Sequence, residues 1–182
     1  MLRGDRTMLA PLRDGDSEIL FGWINERRDV LLSAPYRPVH YANHADWFDA
    51  IRRAPNVVLF GIRTLENDEL VGTCQLHSID SRARSAELQI RIGAPTKRGR
   101  GLGGDAAALL LRHGFCDLNL HRIFLHVFAT NTRAVNLYRR LGFVEEGNLR
   151  DAAFVDGSYA DVLVMAILAA EHESSTIQSS VR

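Results

Sequence analysis

Residues 86–92 alternate without a break, Ala86, Leu88, Ile90 and Ile92 against Glu87, Gln89 and Arg91, and then the pattern stops at a glycine-rich loop. That alternation is the period of a half-buried strand. The loop, Lys97-Arg98-Gly99-Arg100-Gly101-Leu102-Gly103-Gly104, opens into an Ala- and Leu-rich segment from Asp105 to Asp117 that reads as a helix. A strand over Arg122 to Phe128 follows. Strand, helix and strand at this spacing form one βαβ unit, which requires two roughly parallel strands. Upstream, Val57 to Thr64 and Leu70 to Ile79 flank the polar turn Glu66 to Glu69, and Asp80 to Arg84 is a second turn. Three strands joined by short turns make an antiparallel meander. The fold must carry both arrangements in one sheet.

The remaining segments fit around that sheet. Thr7 to Leu12 is a first strand, and Asp14 to Arg27 a helix with Ile19, Leu20, Trp23 and Ile24 as its apolar stripe. Ser33 to Tyr41, with two prolines, reads as a loop, and Asn43 caps a second helix carrying Trp47, Phe48 and Ile51. Asn131 or Thr132 caps a short helix that Gly142 ends, and strands follow around Phe143 to Leu149 and Ala160 to Leu168. The order β, α, α, β, β, β, α, β, α, β, β describes an α+β domain around a central mixed sheet. With 182 residues the chain fits a single domain of roughly 100–200 residues, taken as 1–170, with a polar, flexible tail expected over 171–182. A turn symmetric about Arg82 sets His77 opposite Glu87.

Composition matters here because it isolates the loop. Lys and Arg together number 22, as do Asp and Glu, so no broad basic field exists and no nucleic-acid partner is expected. Yet Arg91, Lys97, Arg98 and Arg100 fall within ten residues that contain no acid. Glycines allow close backbone approach, and a helix N-terminus offers free N–H groups and a positive dipole end. A polyphosphate ligand accounts for all three; the plainer reading is a basic surface turn. Gly99-x-Gly101-x-x-Gly104 matches the dinucleotide fingerprint, but the next strand ends Phe128-Ala129-Thr130-Asn131 without the ribose-binding acid. Gly-Lys-Ser/Thr is absent as well. The two cysteines form no Cys-x-x-Cys pair, so no metal is expected. Met1 to Leu12 does not read as a signal peptide and no apolar run reaches 18 residues, so the expectation is a cytoplasmic protein with no membrane partner.

Arg98-x-x-Gly101-x-Gly103 resembles the pyrophosphate-binding signature of the GNAT superfamily of N-acetyltransferases, Gln/Arg-x-x-Gly-x-Gly/Ala. Asn131-Thr132-Arg133-Ala134-Val135-Asn136-Leu137-Tyr138-Arg139-Arg140-Leu141-Gly142-Phe143, with Glu146-Gly147 behind it, resembles a second family segment. Trp23-Ile24-Asn25 and Asp161 to Met165 are similar to the ribosomal-protein-alanine and amino-sugar branch. The likeness runs from Thr7 to about Leu168. It implies a mostly antiparallel sheet whose parallel pair splays apart between flanking helices. It also implies acetyl-CoA as cofactor, coenzyme A as product, and a homodimer, which is common in the family. The cofactor positions it implies are Ile90, Arg91 and Ile92 on the strand and Arg98, Gly99, Arg100 and Gly101 in the loop. Leu102, Gly103 and Gly104 follow at the helix start, with Asn131, Asn136 and Tyr138 in the second segment.

Acetyl transfer to an amine needs a base for the ammonium, a donor to the oxyanion and a proton for the departing thiolate. Glu87, on the polar side of the strand feeding the loop, is the candidate base, and the resemblance supports it. His77 beside it completes a proton relay or is an ordinary cross-strand partner. Tyr138 is the candidate acid, as the family commonly has Tyr here; the bland reading is core, in a stripe with Ala134, Leu137 and Leu141. Asn131 is equally an N-cap. The oxyanion donor is expected to be a backbone N–H near Arg91 to Gly93, at a strand irregularity. Asn25 to Trp47 and Arg150 to Tyr159 are expected to build the acceptor pocket, with Asn25, Tyr36, His77 and Glu87 as substrate contacts. Tyr36, Tyr41 and Trp47 with Arg37 and His44 suit an amino sugar or nucleotide-linked amino sugar. The alternatives are a protein N-terminus or a polyamine, or a catalytically silent acyl-CoA-binding module. Cys74 and Cys116 lack an adjacent His, which favours direct transfer in a ternary complex to a small-molecule or peptide amine.

Overall fold

β3 (Val58–Thr64), β4 (Leu70–Asp80) and β5 (Ser85–Ile92) pair antiparallel in succession, as their alternation predicts. The computed structural model describes residues 1–172. From Gly72↔Ile92 to His77↔Glu87 the β4–β5 register keeps the symmetry about Arg82, and it slips only at the turn, where Asp80 faces Ser85. Odd-numbered residues of both strands therefore share one face: Thr73, Gln75 and His77 with Glu87, Gln89 and Arg91. Cys74, Leu76, Ala86 and Leu88 point the other way into the main core.

Both edges of the meander are extended. β1 (Leu2–Arg3) and β2 (Thr7–Ala10) add to β3, and a strand of two residues like β1 carries no readable period. β6 (Arg122–Phe128) lies parallel to β5 over only three positions, Ser85↔Arg122 to Glu87↔Phe124, and then leaves it. β8 (Ser158–Leu168) pairs with all of β6, and β7 (Val144–Val155) closes the far edge. The strand order is β1-β2-β3-β4-β5-β6-β8-β7.

α1 (Asp16–Asn25), α2 (Arg27–Val30) and α3 (Tyr41–Ile51) form a layer over the odd-numbered face. Asp16 anchors it: its carboxylate accepts from Arg63 Nη2 at 2.6 and 2.7 Å with both side chains about 5% exposed. α2 starts at the end of the expected first helix and is too short to show a stripe, and α3 begins at Tyr41 rather than at an Asn43 cap. The connection between them is therefore 31–40, one residue longer than the expected loop. α4 (Leu102–Arg112) and α5 (Thr132–Arg140) pack on the core face through Ala106, Leu110, Val135 and Tyr138. A π turn, His113–Asp117, continues α4, and within it Gly114 lets Ile123 approach so closely that a Cβ would lie 2.7 Å from its Cδ1. Residues 169–172 are helical; the rest of the expected tail lies outside the described residues. No helix among the described residues is long and apolar enough to cross a membrane.

Candidate active site

Where β6 leaves β5 a cleft of about 650 Å³ opens. Ile90, Arg91 and Ile92 of β5 form one wall, and Tyr138, Leu137 and Arg133 of α5 the other. The loop closes one end. Gly99 (φ +83°) and Gly101 (φ +81°) hold left-handed conformations, Gly101 as the N-cap of α4. The amides of Gly104 and Asp105 turn back to the Gly101 carbonyl at 3.1 Å, but none from Gly99 to Gly103 has an acceptor among the described residues. These free donors stand at the positive end of an eleven-residue helix. A Cβ on Gly103 would meet only Ile92, at 3.6 Å, and Gly99, Gly101 and Gly103 all line the cleft. This is an anion cradle.

Its scaffold is polar and non-local. Asp105, in the first turn of α4, accepts from the amides of Asp5 (3.1 Å), Arg6 (3.2 Å) and Thr7 (2.8 Å) and from Thr7 Oγ1 (2.6 Å). Burial works against its charge, but the Thr7 hydroxyl and the three amides outweigh burial and hold the carboxyl below the usual range. Arg6 Nη1 in turn donates to the Arg100 carbonyl at 2.9 Å. Arg98 spends its guanidinium inside the protein, on Asp29 (2.5 Å), the Ile92 carbonyl (2.9 Å) and the Gly93 carbonyl (3.2 Å). The hydrogen bond from Arg98 keeps the Asp29 carboxyl low. Arg98 thus braces the loop against α2 and leaves the backbone to face the cleft. Lys97 also lines the cleft while donating to Glu69 at 2.6 Å. Arg133 and Arg140 line it with no partner among the described residues.

Some expected cofactor residues sit elsewhere. Arg100 is exposed outside the cleft. Asn136 is exposed on α5, some 200° around the helix from Tyr138, and does not line the cleft. Asn131 lines it but is engaged at both ends of its amide, capping α5 through Ala134 N (3.1 Å) and donating to the Leu32 carbonyl (3.0 Å). Tyr138 is 8% exposed and packs edge-on against Phe143, and burial pushes its phenol up to about 12. The register stays regular through Gly72↔Ile92 and slips by one residue just beyond, where the Ala94 amide donates to the Val71 carbonyl at 3.2 Å, so an irregularity lies at the end of the expected stretch; the opening itself comes from β6 turning away.

A second cavity, about 490 Å³, adjoins the first through Ser33, Ile90 and Arg91. Trp23, His44 and Trp47 roof it over Thr73, Gln75 and Gln89. Its lining holds no carboxylate. His44 lies four residues after His40, a spacing that suits metal ligands, but its Nε2 is 2.8 Å from the Ser17 carbonyl. No group of three metal-binding side chains occurs among the described residues. Asn25 and Tyr36 do not line this cavity. Asn25 clamps the chain instead, accepting from Val39 N (2.9 Å) and donating to the carbonyls of Val39 and Phe21.

Glu87 and His77 line neither cavity; they stand one same-face step, roughly 7 Å along the strands, beyond the Gln75–Gln89 pair that does line the second. Glu87 Oε1 is 2.7 Å from Nδ1 of His126, on the splaying strand β6. His77 Nε2 is 3.9 Å from Oε2, beyond hydrogen-bond reach, and its Nδ1 faces Ser78 Oγ at 3.1 Å. Sequence reading did not single out His126, Asp29, Arg133 or Arg140. Helical period alone would have found Arg133 and Arg140, since positions 133, 137, 140 and 141 share a face with 134 and 138.

The comparisons with known proteins agree with this geometry. The acetyltransferase (GNAT) domain family matches residues 6–144. The spermidine N(1)-acetyltransferase of Vibrio cholerae serotype O1 is 44% identical over 103 residues, 57% of this chain and 59% of that protein. That of Escherichia coli K12 is 38% identical over 110 residues, 58% of this chain and 59% of that protein. In both, the similar stretch spans 59% of the relative's length. The crystal structure of spermidine N-acetyltransferase from Vibrio cholerae in complex with CoA and spermine superposes with a TM-score of 0.84 at 32% identity, over 92% of this chain and 98% of that one. A family match over most of the length, together with a shared fold, gives one conclusion: this chain belongs to the GNAT acetyltransferase family.

Proposed function

We propose that the protein is an acetyl-CoA-dependent N-acetyltransferase that moves the acetyl group to a primary amine by direct transfer in a ternary complex. The observation that carries this reading is the row of free amides from Gly99 to Gly103 at one end of a cleft that a second cavity adjoins. The amides and the cations of Arg133 and Arg140 suit the pyrophosphate and 3′-phosphate of coenzyme A. Acetyl-CoA supplies an activated acetyl thioester. Glu87 takes the proton of the incoming ammonium through an intervening water. Tyr138, which burial keeps protonated, donates to the departing thiolate. Burial pushes the Cys74 thiol far up, and Cys116 lines neither cavity, so neither is placed to carry an acyl group.

For the acceptor, the names of the similar proteins support a polyamine over an amino sugar. In this chain the reacting arm would enter between Trp23 and Trp47, where the indole faces can stabilise a single ammonium by about 1–2 kcal/mol, and the remaining charges would stay outside the cavity, toward Glu87.

Calorimetry with acetyl-CoA, 3′-dephospho-CoA and NAD, followed by turnover with spermidine, an amino-sugar nucleotide and an alanyl peptide, tests the proposal. Expected are binding of acetyl-CoA but not NAD, weaker dephospho-CoA, and acetylation of spermidine. Binding without turnover on any amine would leave an acyl-CoA-binding module. Absence of acetyl-CoA binding would overturn the reading altogether.

A further inference from the structure

Glu87 and His126 belong to β5 and β6, the strands whose separation opens the cofactor cleft, and they meet at the last rung before the split, Glu87↔Phe124. The carboxylate is 23% exposed and the imidazole 41%, so the pair runs outward to solvent. At 2.7 Å, Nδ1 is within proton-transfer distance of Oε1, and Nε2 lies across the ring from the carboxylate. His77, at 3.9 Å and occupied by Ser78, is not so placed. Around His126 the charged groups are Glu87 itself and, beyond the Phe124 ring on its own strand, Arg122, which is paired with Glu146. Its register partner on β8, Val164, is apolar.

We propose that His126 is the outlet for the amine proton. Glu87 accepts the proton from the ammonium, Nδ1 of the Nε2–H tautomer takes it from the carboxyl group, and the imidazolium releases its Nε2 proton to bulk water; the Nδ1–H tautomer left behind returns to Nε2–H by proton exchange with solvent before the next turnover. The amine leaves this sequence neutral and nucleophilic, Glu87 returns to carboxylate, and one proton has reached solvent. Transfer through a hydrogen-bonded imidazole lets the carboxylate reset without opening the cavity. This inference rests on Glu87 being the base.

The test compares His126→Ala, His126→Gln and Glu87→Gln on the best acceptor from the amine panel, with acetyl-CoA affinity measured alongside. His126 is surface-facing, so its variants should fold. Expected for His126→Ala is a kcat lower by about 10- to 100-fold, largely restored by added imidazole, with acetyl-CoA affinity unchanged. His126→Gln can still hold the carboxylate but cannot relay a proton, and it should be as slow as the alanine variant. Glu87→Gln should be slow and unresponsive to imidazole. If His126→Gln keeps the wild-type rate, the histidine only positions Glu87 and the outlet is overturned. If both His126 variants are unaffected while Glu87→Gln is slow, the outlet is overturned and the base stands. A wild-type rate in Glu87→Gln would remove the base itself, and the outlet with it.

Discussion

Gly103→Ala separates what the loop does for the fold from what it does for the cofactor. Gly103 is the second residue of α4 and does not need a positive φ. Its new methyl would touch only Ile92 at 3.6 Å, an ordinary contact, so nothing in the protein resists it. Alanine should gain up to about 1 kcal/mol of helix propensity, less at so early a position, and raise Tm by about 1–3 °C. The signature admits alanine at this position, so acetyl-CoA affinity should stay within about threefold of the wild type, a change under about 0.7 kcal/mol. Gly101→Ala is the contrast. There φ is +81° and the Cβ would sit 3.2 Å from Arg6 Nη1, so left-handed strain of about 1–2 kcal/mol lowers Tm while binding also weakens. Calorimetric Kd values and thermal melts should therefore separate the two variants in affinity and in stability alike. Wild-type affinity in Gly101→Ala would refute the placement of the cofactor's phosphates at this loop and the first turn of α4.

Two further outcomes follow from the site. Tyr138→Phe should lower kcat by about 100-fold or more while leaving acetyl-CoA affinity intact; a lower Tm with unchanged kcat would make the residue core alone. Asp105→Asn sets an amide N–H against donors and should cost on the order of 2–3 kcal/mol, a Tm lower by about 5–10 °C. Because the folded state holds the Asp105 carboxyl low, the unfolded chain binds more protons in acid. The stabilisation is present above the unfolded value near 3.9, as a rough reference, and is lost as pH falls through the folded value. Melts of Asp105→Asn should accordingly lose less stability than the wild type on going from pH 5 to pH 3, and parallel curves would count against this account.

Much of the fold was legible because its signals are local. Alternation located β3 to β5, turn symmetry set His77 opposite Glu87, and the strand–helix–strand spacing called for a parallel pair that is indeed present. β1 and α2 escaped because two and four residues are less than one period of either pattern. The glycine loop was legible for the same local reason, as its backbone needs are written into adjacent residues. What a long polar side chain reaches is another matter. Arg98 lines the cleft as expected, but the sequence did not show that its guanidinium is also held by Asp29, 69 residues away. Asn25 looked like a substrate contact and is a clamp on Val39. His126 came to Glu87 only through a tertiary pairing that no period in its own strand announces.

The clasp at Asp105 has a consequence for the order in which the molecule assembles. It joins positions 98 to 100 residues apart, so the segment that fixes the cofactor loop is made from the beginning of the chain and its middle. Contacts of such separation close late, since the intervening chain must already be ordered before they repay its entropy. During synthesis at about 5–20 residues per second, residues 5–7 wait several seconds or more for Asp105 to emerge. The meander can form in that interval, with its hairpins short and local. Competence to bind the cofactor thus arrives as one of the last events in the life of a newly made chain, after most of the sheet beneath it is in place.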